Sequence, residues 1–189
     1  KTAAILVVYT LMITVLATVL LLTHALKTEA VRLLADGPEL VVQSTMGGRH
    51  ELIPVAAAAK VAAIPGVGTV TPRVWGYYYD SLTEANYTLL GVDATDPSLE
   101  LLSGRLPQQD GECAIGAGVA AARRVGVNDD LILIDATNLG TIFTITGVFR
   151  AESRLLTEDL LVMPTEPLRR FFGMPADLAT DLTVRVRNP

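Results

Sequence analysis

The sequence predicts an α+β protein, in which an N-terminal transmembrane helix and stalk lead into a mixed α/β module of two small subdomains. Three observations carry that prediction. Twenty consecutive residues, Ala3 to Leu22, hold no charge. The remainder is a series of short apolar runs punctuated by glycine and proline turns. Short helical patterns interrupt those runs without the regular strand-helix repeat of a parallel α/β fold.

At 1.5 Å per residue the uncharged run spans about 30 Å, the thickness of a bilayer's hydrocarbon. We read residues 1–23 as the membrane helix. The apolar core of a cleaved signal peptide is shorter and ends at a small-x-small site, whereas this run exits through Thr23-His24-Ala25-Leu26-Lys27. A buried core helix is the lesser alternative, since such helices are usually shorter. Thr10, Thr14 and Thr18, with Ala17 beside them, form a stripe of small residues that suits packing against other helices. Threonine hydroxyls can also bond back to their own helix, so packing and accident weigh equally. From His24 to Asp36, Leu26, Ala30, Leu33 and Leu34 share one face, which extends the helix as a stalk over residues 24–37. Gly37-Pro38 ends it. Charge counting does not orient the span: Lys1 lies on one side, Lys27 and Arg32 on the other.

The first subdomain, 38–102, begins with a strand at Leu40–Gln43, a turn at Gly47-Gly48 and a second strand near Glu51–Ile53. An alanine-rich helix runs from Val55 to Ile64, opened by Pro54 and stopped by Pro65-Gly66. Gly68–Asp80 and Asn86–Asp93 then form a hairpin of longer strands. The second subdomain, 103–189, places strands at Glu112–Ile115, Leu131–Asp135, Thr141–Phe149, Leu160–Met163 and Leu182–Arg187, with helices over Val119–Val125 and Thr165–Phe172. Phe143, Ile145 and Phe149 read as one face of their strand, and Leu182, Val184 and Val186 as the inward face of the last.

Composition narrows function. The chain of 189 residues is 50% hydrophobic, 19% charged and 5% aromatic, with 15 Lys plus Arg against 20 Asp plus Glu. An acidic chain with so few aromatics is no nucleic-acid binder. A single cysteine, Cys113, permits no internal disulfide and reads as a small core residue. Only His24 and His50 are present, so no serine or cysteine nucleophile has a convincing base and no metal set is complete; we expect no catalytic, cofactor-binding or metal residues. Asp129-Asp130, and Asp93 with Asp96, read as solvated turns rather than as acid/base or calcium groups. Gly116-Ala-Gly118-Val-Ala-Ala121 mimics a dinucleotide fingerprint, but its helix is too short and no parallel alternation follows. None of the three lysines follows a glycine, which excludes a phosphate-loop nucleotidase. Half of the ten aromatics lie between Trp75 and Tyr87, with Trp75, Tyr77 and Tyr79 on one strand face. That face is either covered by a neighbouring element, the preferred reading, or open as a surface for a ligand or partner.

The segments IPGVGTVTPRVWG (Ile64 to Gly76), LLSGRLPQQDGECAIGAGVAAARRVGVNDDLILI (Leu101 to Ile134), FTITGVF (Phe143 to Phe149) and LLVMPTEPLRRFFG (Leu160 to Gly173), in this order behind a membrane helix, resemble the MacB/FtsX-like (LolC/LolE-like) permeases. That resemblance implies a permease subunit of an ABC transporter in the inner membrane, its large domain extracytoplasmic. It further implies a cytoplasmic ATPase partner, a second permease copy or paralogue, lipid around the helix, and a periplasmic partner or lipoprotein as client. In such a protein the outer domain is not an enzyme but passes an ATP-driven stroke outward. The competing expectation is a single-span anchored module that presents the Trp75–Tyr87 surface to an envelope ligand. Three further hydrophobic spans downstream in the reading frame would favour the permease.

Overall fold

The computed structural model describes residues 2–35, 38–92, 99–150 and 159–187. Asp36, Gly37, Asp93 and Asp96 lie outside the described residues, as do the side chains expected to extend the stalk face at Leu33 and Leu34. The chain forms two units, residues 1–37 and 38–189.

The first unit is one helix, α1 (Thr2–Ala35), of 34 residues. Its stretch Thr2–Val31 is long and apolar enough to cross a membrane, and its most apolar window, of mean hydropathy 2.7, is nowhere buried. The hydroxyls of Thr10, Thr14, Thr18 and Thr23 each donate to the carbonyl four residues earlier, at 2.8 to 2.9 Å.

The second unit is built from β1 (Leu40–Val42), β2 (Ser44–Met46), β3 (Arg49–Glu51), β4 (Ile53–Pro54), α2 (Ala57–Ala62), β5 (Val67–Arg73), β6 (Trp75–Asp80), β7 (Ala85–Val92), β8 (Glu100–Gly104), β9 (Glu112–Gly116), α3 (Ala117–Arg123), β10 (Asp130–Ile134), β11 (Gly140–Arg150), β12 (Leu160–Pro164), α4 (Thr165–Phe171), β13 (Leu178–Ala179) and β14 (Asp181–Val186). A three-stranded sheet runs β1-β14-β5, and a larger one runs β10-β11-β9-β12-β7-β6, with β8 added to β11. The larger sheet is mixed: β9 lies parallel to β11 and β12 parallel to β7, while the remaining pairs are antiparallel.

Several expectations are revised. The glycine turn joins β2 to β3 rather than Leu40–Gln43 to Glu51–Ile53, because β1 is already paired with β14. Pro54 sits in β4 opposite Leu178, so the alanine-rich helix is only the six residues of α2. The long strand Gly68–Asp80 breaks at Val74: β5 enters the small sheet and β6 the large one. The boundary expected between 102 and 103 is crossed by both sheets, since β14 is inserted between β1 and β5 and β7 pairs with β12. The strand after the Gly116-Ala-Gly118 turn, β10, is antiparallel to β11 while β9 is parallel to it, which is not the parallel pair of a dinucleotide unit.

Two apolar cores follow. On one face of the large sheet Leu89, Cys113, Ile115, Leu133, Ile145 and Leu161 pack with Val119 of α3 and Leu168 of α4. On the other, Val92, Ala114, Phe149, Leu160 and Val162 are covered by Leu106. Phe149 therefore does not share the face of Phe143 and Ile145. The register of β11 on β9 shifts between Ile145 and Gly147, and the extra residue reverses the alternation. Gly147 is required there, because a Cβ would stand 2.4 Å from the carbonyl oxygen of Arg105.

Candidate functional site

The break at Val74 creates the feature that joins the sheets. Asp181 opens β14 directly across the ladder from Arg73 and is completely buried. Arg73 Nε and Nη2 donate to its two carboxylate oxygens at 2.8 and 2.7 Å, a paired geometry that fixes both planes. Trp75 Nε1 donates to the same carboxylate at 3.0 Å. The Thr180 hydroxyl accepts from the Trp75 amide at 3.0 Å and donates to its carbonyl at 2.8 Å, and the Thr180 amide donates to the Arg73 carbonyl at 2.8 Å. The end of β5, the start of β6 and the start of β14 are thus one hydrogen-bonded knot. Sequence reasoning missed Arg73, Thr180 and Asp181. Alternation with buried Leu182 and Val184 places Asp181 outward, and only the tertiary fold shows that this face is covered at Asp181, while Arg185 stays exposed.

A second buried charge pair ties α3 to the sheet. Arg123 Nη2 meets Asp80 Oδ1 at 2.6 Å, and Asp80 also accepts from the amides of Leu82 and Thr83 in the β6–β7 turn. Opposite edges of the large sheet are linked where the Ile134 amide of β10 donates to the Tyr78 hydroxyl of β6 at 3.0 Å. At the start of β9, Glu112 accepts from Arg105 Nη1 at 2.9 Å. That contact first, then the amides of Gln108 and Gln109, hold the Glu112 carboxyl down at about 2. Burial pushes the Cys113 thiol up to about 12, as expected of an inert core cysteine.

Trp75, Tyr77 and Tyr79 do share one face of β6, and the preferred expectation that it is covered is corrected. Tyr77 is 71% and Tyr79 58% exposed. Trp75 is half-buried, with Tyr77 edge-on at 5.5 Å and the ring of His50, on β3, at 6.4 Å. The parity of β6 explains this: Tyr78 and Asp80 take the positions that face α3 and α4, leaving their neighbours outward. Among the described residues no group of three or more His, Cys, Asp or Glu could hold a metal ion.

A mixed sheet backed by short helices is an arrangement also found in known proteins. The family described as the MacB-like periplasmic core domain matches residues 3–189. The chain belongs to this family. MacB-like periplasmic core domains are parts of ABC transporter permeases, a transporter component and not a known enzyme class. Among solved structures, the extracellular domain of the noncanonic ABC-type transporter YknZ from Gram-positive bacteria is 12% identical with a TM-score of 0.52, over 78% of this chain and 82% of that one. The periplasmic region of MacB from Actinobacillus actinomycetemcomitans is 15% identical with a TM-score of 0.50, over 78% and 73%. No curated protein matches. At these identities the likeness is one of fold. This MacB-like core domain, behind its apolar helix, is a membrane-anchored extracytoplasmic domain.

Proposed function

We propose that this chain is the first membrane helix and outer module of an inner-membrane ABC transporter permease, whose work is mechanical. Closure of cytoplasmic ATPase partners displaces α1, and the displacement reaches the module, so that two permease copies, or a copy and a paralogue, approach and part outside the membrane. The stroke moves or extracts an envelope substrate, a lipoprotein among them, or activates a periplasmic partner. The observation that supports this reading is the Arg73–Asp181–Trp75 knot. The first strand after α1 is β1, β1 pairs with β14, and β14 is bound at Asp181 and Thr180 to the start of β6. A push on β1 therefore reaches the large sheet through the hydrogen bonds that Trp75 makes with Asp181 and Thr180, with the Arg73–Asp181 ion pair bracing the small sheet behind them.

The test uses the full-length permease with its ATPase in lipid. Spin labels are placed at the exposed position Thr45 in each copy; Cys113 is buried and stays silent. Nucleotide trapping is expected to shift the inter-label distance, and a four-residue Gly-Ser insertion between Asp36 and Gly37 to abolish the shift while ATP binding persists. An unchanged shift after the insertion sinks the lever. The exposure of Tyr77 and Tyr79 favours a second reading, in which the module presents this aromatic face to an envelope ligand. There, Tyr77→Ser with Tyr79→Ser would remove ligand handling and leave the distance change intact.

A further inference from the structure

The face of the large sheet that carries Phe149 and Val162 is only partly covered. Leu106 roofs the end formed by β7, β12, β9 and the second half of β11. The other end, formed by β10 and the first half of β11, is left uncovered by the described residues. There Ile132 and Ile142 stand directly opposite one another and are 56% and 58% exposed, with Ile134 and Leu139 exposed beside them. Strand β10 alternates buried Leu131 and Leu133 with these exposed isoleucines, so it is apolar on both faces. A run apolar on both faces is consistent with a strand covered on both sides.

Charge and size say what covers it. No lysine or arginine occurs between Arg124 and Arg150, whereas Asp129, Asp130 and Asp135 border the apolar patch at the ends of β10. Of the cations on adjoining elements, Arg105 is paired with Glu112 and Arg170 with Asp110. A second copy offering the same face would set acid against acid, and four aliphatic side chains fall well short of the roughly 800 Å² per partner of a stable interface. Anionic lipid is disfavoured by the same border. An added strand is disfavoured as well, because the outer edge of β10 is engaged where the Ile134 amide meets the Tyr78 hydroxyl.

We propose that the outer face of the β10–β11 hairpin is a docking face for a short segment of a partner protein, apolar at its centre and flanked by lysine or arginine. The face engages a side-chain stripe, with Ile132 and Ile142 at its centre and the aspartates meeting the flanking cations. It goes beyond the permease reading, which makes no use of this hairpin.

The test is photocrosslinking in cells from the full-length protein carrying p-benzoylphenylalanine in place of Ile142. The expected adduct, mapped by mass spectrometry, is a peptide with at least two apolar residues bordered by lysine or arginine. Asp129→Asn with Asp130→Asn keeps side-chain acceptors for Gly126 and Thr144 while removing charge, and is expected to lower the yield at least fivefold at unchanged membrane level and protease resistance. An adduct to a second copy, to lipid alone or to a segment without basic flanks overturns the proposal. So does the absence of any adduct, or a yield indifferent to the two asparagines. The nucleotide-driven distance change, measured in the same strains, reports on the permease reading separately.

Discussion

Asp181 shows what one side chain contributes. It is completely buried, yet both its oxygens are used, by a bidentate guanidinium and an indole N–H. Asp181→Ala would leave Arg73 able to reach solvent and the Trp75 N–H unpaired, so the loss should fall near the low end for a broken buried pair, about 3 kcal/mol, read as a lowered urea midpoint. Glu112 gives a pH signature. Its folded carboxyl is depressed to about 2 from 4.5, mainly by Arg105, so it contributes stability that is complete above about 4.5 and is lost as pH falls toward 2. Glu112→Gln should flatten that part of the acid limb when urea midpoints are compared across the window; identical limbs would refute the assignment. Tyr77 and Tyr79 make the opposite case. As both are largely exposed, replacing them together with serine should change stability by no more than about 0.5 kcal/mol in the same assay.

Among elements, β11 is defined by its irregularity. Gly147 lies opposite Gly104, whose φ is +77° and whose Cβ would stand 2.1 Å from the carbonyl oxygen of Thr146. The pair lets β8 close on β11 at the point where the alternation reverses and Phe149 changes core. Gly147→Ala should cost about 2 to 3 kcal/mol through overpacking, checked by thermal unfolding. The threonine stripe of α1 is better defined by its hydrogen bonds. Since each hydroxyl is already satisfied by its own helix, any packing role of Thr10, Thr14, Ala17 and Thr18 rests on small size rather than on interhelical hydrogen bonds. Thr14→Leu is therefore expected to weaken assembly of the full-length protein by about 1 kcal/mol and Thr14→Val to leave it unchanged, read by crosslinking in detergent. Equal effects would place the cause in the hydroxyl.

At the scale of the molecule, strands far apart in the chain are neighbours: Leu40 of β1 faces Val184 of β14. The first and last described strands of this unit therefore share one small sheet, and the large sheet is reached through the knot at Val74. Much of the secondary structure was legible beforehand. α3, α4, β10, β12 and β14 fall within two residues of their expected bounds, because each has a local signal: a turn, a proline near a helix start or a clean alternation. The breaks were not legible. Nothing in TVTPRVWGYYYD marks Val74 as the place where one strand becomes two, because the cause is Thr180, more than a hundred residues away.

The sequence by itself determined the membrane helix, the α+β class and, through the order of its segments, the family. These follow from local composition and from patterns that need no partner. Tertiary structure alone decided that the two halves interleave, that an aspartate is buried between sheets and that Tyr77, Tyr79 and the isoleucines Ile132, Ile134 and Ile142 stay open to solvent. The reason is physical: which face of a strand is covered depends on elements distant in the chain, and alternation states only that two faces exist.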